Sequence, residues 1–69
     1  MKFEAGQIVR SVQVSYGGAW YFIITEVLPK KKESSPQYYK CYCFKTFSKN
    51  ARRDLHMTIQ MSEDVLSEV

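Results

Sequence analysis

Long apolar runs, histidine, and cysteine or glycine in any dense pattern are all scarce in this sequence, and each scarcity closes off a class of function. The longest apolar run, AWYFII (19–24), is far short of the ~20 residues a membrane helix requires. The opening MKFEAGQ has no apolar segment of the kind a secretory signal carries, so none is expected there. Two cysteines, Cys41 and Cys43, do not make a disulfide framework, and a reduced, cytoplasmic protein is the expectation. Together with His56 they supply fewer ligands than the four a structural zinc takes from two separated pairs, so no metal or other cofactor is expected within one chain. Gly17-Gly18 is followed by a strand pattern rather than a helix, which excludes a phosphate loop. Acid–base and nucleophilic catalysis need a base within hydrogen-bond reach of its target and oriented by a third group. One histidine and the scattered carboxylates Glu4, Glu26, Glu33 and Asp54 offer no such set, and the 63–68 acids suit a helix start. No catalytic residue is assigned, and the expectation is a protein that binds rather than an enzyme.

What the 69 residues do contain is aromatic: 14% Phe, Trp and Tyr within a 45% hydrophobic chain. That length makes one domain, which buries only ~60% of the surface of its unfolded chain, and large rings compensate by burying much area each. Charge is unevenly spread. Lys30 to Arg53 holds eight basic residues against Glu33, a net +7, whereas the remainder sets Lys2 and Arg10 against six carboxylates, a net −4. Such polarity bears on partners rather than on fold.

Along the chain the pattern is one of strands and turns. GQIVRSVQV (6–14) opens at Gly6 and places Ile8, Val12 and Val14 in alternation. Gly17-Gly18 marks a tight turn. AWYFIITEVL (19–28) is apolar on both alternating sets, as a central strand covered on both faces would be. PKKKESSP (29–36), closed by prolines, is a charged loop. QYYKCYCFK (37–45) is a third strand, TFSKNARRD (46–54) a basic loop, and LHMTIQM (55–61) a strand with Leu55, Met57, Ile59 and Met61 inward and His56, Thr58 and Gln60 outward. In SEDVLSEV (62–69) Ser62 is placed to cap a turn, with Val65, Leu66 and Val69 folding back. A short helix and a 3₁₀ turn leading to a last strand both fit.

Four or five short antiparallel strands at such spacing imply a mainly β domain, a small barrel or strongly bent sheet. AGQIVRSV, the hairpin into YFIITEV, the strand YYKCYCF and the closing MSEDVLSEV resemble, in that order, small SH3-like barrels. In those a Gly-x-Ile/Val-Val-Arg opening begins the first strand and one helical turn precedes the last. The resemblance implies a single SH3-like domain over residues 1–69; it implies little about function.

The stretch 37–45 carries the functional question. Alternation divides it into Tyr39, Cys41 and Cys43 on one face, read as buried, and Tyr38, Lys40, Tyr42 and Phe44 on the other. Basic loops flank the second set: Lys30, Lys31 and Lys32 on one side, Lys45, Lys49, Arg52 and Arg53 on the other. Rings interleaved with cations are what single-stranded nucleic acid takes, by base stacking and phosphate neutralisation, so RNA or single-stranded DNA is the expected partner. Ordinary packing of rings under lysine stems accounts for the same pattern, with Phe47 as a packed anchor or a contact. A second function of another class fits equally. An acidic protein surface is the alternative partner, as for small bacteriophage-type, anti-CRISPR-like inhibitors of a host enzyme. Toward a basic partner, the acidic ends would instead mimic nucleic acid. Exposed strand edges leave a homodimer open, and no membrane partner is expected.

Overall fold

The computed structural model describes residues 2–13, 18–47 and 49–69. Val14 of the expected first alternation, Gly17 of the expected tight turn, and Ser48 lie outside the described residues. The described residues form five strands: β1 (Ile8–Gln13), β2 (Gly18–Val27), β3 (Tyr38–Thr46), β4 (Thr58–Ser62) and β5 (Ser67–Glu68). They make one open antiparallel sheet in the order β4-β3-β2-β1-β5. Helical structure among the described residues is 3₁₀ only, at Lys49–Asp54 and Glu63–Val65, and no described helix is long and apolar enough to cross a membrane.

A turn precedes β1. The Gln7 N–H donates to the Glu4 carbonyl at 3.1 Å, with Gly6 at φ 91°, the left-handed position that such a turn reserves for glycine. The Gly6 N–H then donates to the Ile24 carbonyl at 2.7 Å, which pins the turn to β2.

The sheet has to curl. In a flat sheet the edges β4 and β5 would stand roughly 19 Å apart, four strand spacings of about 4.8 Å. Only the turn Glu63–Val65 and Leu66 join them, a connection spanning about 13 Å. The concave side encloses the core: Phe3, Val9, Phe22, Ile24, Tyr39, Cys41, Cys43 and Leu66 are buried, with Trp20, Val27, Ile59 and Met61 packed against them. Fully burying each aliphatic or aromatic side chain contributes about 1.5–3 kcal/mol. The two ends of the chain are tied in through Tyr39, whose hydroxyl accepts from the Phe3 N–H (3.2 Å) and the Lys2 N–H (3.3 Å) and donates to Glu63 Oε2 (2.5 Å).

Several local expectations are corrected. In β1 the buried residues are Val9 and Ser11, while Ile8 and Val12 stand 47% and 57% exposed. Pairing decides this: Val9 lies opposite Phe22 on the core side and Ile8 opposite Ile23 on the other. β2 is central but covered on one side, with Phe22 and Ile24 buried, Tyr21 and Ile23 half-buried, and Thr25 and Glu26 exposed. Residues 46–54 are not all loop: Thr46 completes β3, and Lys49–Asp54 winds into a 3₁₀ helix. That helix is fastened where Trp20 Nε1 donates to Asp54 Oδ2 at 3.0 Å.

The strand expected at 55–61 is Thr58–Ser62. Leu55 and His56 continue the 3₁₀ segment as a turn, with the Leu55 N–H on the Arg52 carbonyl and His56 in the left-handed region at φ 66°. Met57 is therefore exposed rather than inward, while Ile59 and Met61 do pack on the core. At the C-terminus the chain takes the 3₁₀ turn followed by a short strand. Ser62 occupies the cap position without a side-chain bond, and of Val65, Leu66 and Val69 only Leu66 is buried.

Candidate binding face

The convex side of the sheet is built by register. Ile8, Arg10 and Val12 of β1 stand opposite Ile23, Tyr21 and Ala19 of β2. Ile23 in turn faces Tyr42, and Tyr21 faces Lys45, on β3. Tyr42, Lys40 and Tyr38 face Thr58, Gln60 and Ser62 on β4. Alternation along β3 holds: Tyr39, Cys41 and Cys43 are buried, whereas Tyr38, Lys40 and Phe44 are exposed and Tyr42 is half-buried.

Two irregularities shape this face. Phe22 pairs with Cys43 but Tyr21 pairs with Lys45, so Phe44 and Lys45 both stand opposite Tyr21. A bulge of this kind sets two successive side chains against one and sharpens the local twist. It puts a ring and a cation side by side. The Tyr21 ring lies 6.5 Å from Phe44 and 5.2 Å from Phe47, the latter edge-on, and Lys45 Nζ sits 4.9 Å from the Phe47 centroid. These distances suit the electrostatics of aromatic pairs and of a cation over a ring face. Phe47 is 59% exposed and is therefore a surface ring rather than a packed anchor.

The second irregularity makes Thr25 the extra residue of β2, with its hydroxyl donating to the Lys40 carbonyl at 3.1 Å. Glu26 is then opposite Lys40 in register.

His56 also belongs to this face. Its Nδ1 and the Tyr42 hydroxyl share a hydrogen bond of 2.9 Å, and the rings are 6.2 Å apart. The expectation of a partnerless histidine on a regular strand is thereby corrected; the left-handed turn swings the imidazole over Tyr42.

The structure brings Tyr38, Lys40, Tyr42, Phe44 and Lys45 onto one face. Lys30, Lys31 and Lys32 are exposed on the loop after β2, and Lys30 and Lys31 line a cleft with Tyr38. Arg52 and Arg53 are exposed on the 3₁₀ helix, whose Asp54 is fastened to Trp20. The side chain of Lys49 lies outside the described residues.

Sequence reading misses Tyr21, Arg10 and His56 as members of the face, and leaves Phe47 open between anchor and contact. For Tyr21 a signal exists, since it alternates with Phe22, but the apolar residues on both sets of that strand mask it.

The thiols are chemically quiet. Burial pushes Cys41 up to about 11 and raises Cys43 as well, so both stay protonated at neutral pH, when only a thiolate attacks or ligates. Both are free and buried. No family model, curated protein or solved structure matches the chain.

Proposed function

We propose that the chain is a small SH3-like module that acts by non-covalent binding, and that its convex face takes single-stranded nucleic acid. The observation that carries this reading is the bulge on β3, which sets Phe44 and Lys45 beside Tyr21 and Phe47 and extends a line of rings through Tyr42 to Tyr38, with Lys40 between them. Bases stack on such rings at ~1–3 kcal/mol each whatever their identity, and lysines neutralise phosphates. Lys30, Lys31 and Lys32 on the adjoining loop would add phosphate contacts and raise the association rate. The SH3-like part of the proposal is supported by the strand order, by β5 pairing back onto β1, and by the single 3₁₀ turn before it.

The test is fluorescence anisotropy with short single-stranded DNA, RNA and a duplex at two salt concentrations. Salt-sensitive binding to the single strands, weakened in Tyr42→Ala and Phe44→Ala, is the expected result. No binding at low salt overturns the proposal.

One observation favours a second reading. Ile8 and Val12 are exposed aliphatics on the same face, and aliphatic side chains do not stack bases. They suit a protein partner whose acidic rim meets Arg10 and Lys45, as an inhibitor of the bacteriophage type would. Under that reading a single partner is retained after nuclease treatment and is lost when Val12 carries a charge.

A further inference from the structure

The loop after β2 does more than carry charge. It is clamped at its base by Gln37, which is 8% exposed and which strand alternation does not single out. Gln37 Nε2 donates to the Leu28 carbonyl (2.6 Å) and the Tyr38 carbonyl (3.0 Å), and the Gln37 carbonyl accepts from the Glu63 N–H (2.8 Å). The Leu28 N–H donates to the Tyr38 carbonyl at 3.1 Å, and inside the loop the Ser35 N–H donates to the Lys32 carbonyl at 3.0 Å. Pro29 and Pro36 restrict the backbone at both ends. A cleft of ≈ 570 Å³ results, open to solvent, between this loop and the β3–β4 edge. Pro29 and Pro36 line it with Tyr38, Gln60, Lys30 and Lys31.

That lining has a chemical sense. The Tyr38 ring, 37% exposed, offers a flat π surface beside the proline rings. Gln60, opposite Lys40 in register, offers an amide that both donates and accepts. Two ammonium groups stand on the loop wall, and the loop's acid, Glu33, does not line the cleft. A site with a flat apolar wall, one amide and paired cations suits a ligand with a planar heteroaromatic ring and a phosphate. The volume falls within the ~300–1,000 Å³ usual for small-molecule sites. The Gln37 hydrogen bonds fix the base of the loop, where Leu28 and Tyr38 meet.

We propose that this cleft is a subsite for one nucleotide unit of the bound strand, with the base on Tyr38, its edge read by Gln60, and the phosphate held by Lys30 and Lys31. The proposal rests on the nucleic-acid reading of the convex face and extends it to a defined pocket at one end.

The experiment is a pair of titrations on the full chain. In amide-resolved NMR, adenosine 5′-monophosphate is added, with adenosine, inorganic phosphate and an acidic peptide as separate probes. The nucleotide is expected to shift the amides of Lys30, Lys31, Tyr38 and Gln60, more strongly than either half alone. In anisotropy with a single-stranded oligonucleotide, Tyr38→Ala is expected to weaken binding about 5- to 100-fold. The double variant Lys30→Ala/Lys31→Ala is expected to lower the salt slope by roughly 0.7 for each phosphate that is no longer neutralised. If the oligonucleotide binds and responds to Tyr42→Ala but not to these variants, the pocket proposal falls while the face reading stands. If no oligonucleotide binds, both fall. Equal shifts from phosphate alone overturn the nucleotide assignment, as does a response to the acidic peptide without one to the nucleotide.

Discussion

The Tyr39 hydroxyl donates a 2.5 Å hydrogen bond to Glu63 Oε2 while accepting from the backbone of Lys2 and Phe3, so one phenol joins the two chain ends under the sheet. A hydrogen bond to a charged group contributes about 1.5–3 kcal/mol, and its removal strands a buried donor. Phe3 and its N–H are buried. Tyr39→Phe preserves the ring and its 5.6 Å edge contact with Phe3 but deletes these bonds. The expected loss is about 2–3 kcal/mol in urea unfolding, a large fraction for so small a domain.

The same pair sets the acid limb of stability. The Tyr39 hydroxyl, and then the Lys2 N–H, hold the Glu63 carboxyl below its ordinary 4.5. A depressed carboxyl contributes stability that is present above about 4.5 and is lost as pH falls through the lower folded value. Stability measured from pH 6 down to 2 is expected to decline less steeply in Glu63→Gln, which starts lower at neutral pH.

The alkaline limb follows from burial. Burial raises Cys41 from 9 to about 11 and, together with the bond to Glu63, raises Tyr39 above 10. A group whose folded value is raised contributes stability that is full below its unfolded value and is lost as pH rises. Unfolding is therefore expected to become easier from pH 9 upward. In native protein at pH 8 neither thiol should react with a disulfide reagent on the timescale on which urea-unfolded chain reacts fully; fast native labelling would contradict the burial.

How much of this was legible in the sequence depended on whether one alternating set was clearly core. On β3 it was, because Tyr39, Cys41 and Cys43 oppose a set containing Lys40, and that split is the observed one. On β1 both sets mislead: Ser11 is buried and Val12 exposed, and only the pairing of Val9 with Phe22 decides the face. The bulge that places Lys45 beside Phe44 is a matter of register with β2 and has no residue signature in KCYCFK. Likewise His56 takes φ 66° without being glycine, so alternation ran through a turn as though it were strand. Gln37 has the look of an ordinary polar strand end; its role as a clamp exists only once the loop closes over it.

Gly6 tests the turn before β1. A Cβ there would meet nothing within 4 Å, so space is not the constraint, but φ 91° is a conformation that only glycine takes freely. Gly6→Ala is expected to cost about 1–2 kcal/mol through the backbone alone. A neutral or stabilising result would mean that the turn differs from the one described.

The two readings of the convex face give opposite signs at one residue. Val12 is 57% exposed, on the β1 strand that also carries Arg10, two strands from the Phe44–Lys45 bulge. Replacing it with lysine costs little stability, because an exposed strand position has little packing to lose. If the face takes a nucleic-acid strand, Val12→Lys adds a cation beside its path. Oligonucleotide affinity should then rise, and the salt slope should steepen by about 0.7. Phe47→Ala should in the same assay weaken binding about 5- to 100-fold, since its ring stands 59% exposed on the face. If the face instead docks on a protein, Val12→Lys buries an ammonium group in an apolar contact, a cost of several kcal/mol, and abolishes that association. A gain in oligonucleotide binding and a loss of protein binding cannot both follow from a single occupant. Measuring Val12→Lys beside Phe47→Ala therefore separates the readings before the partner has been identified.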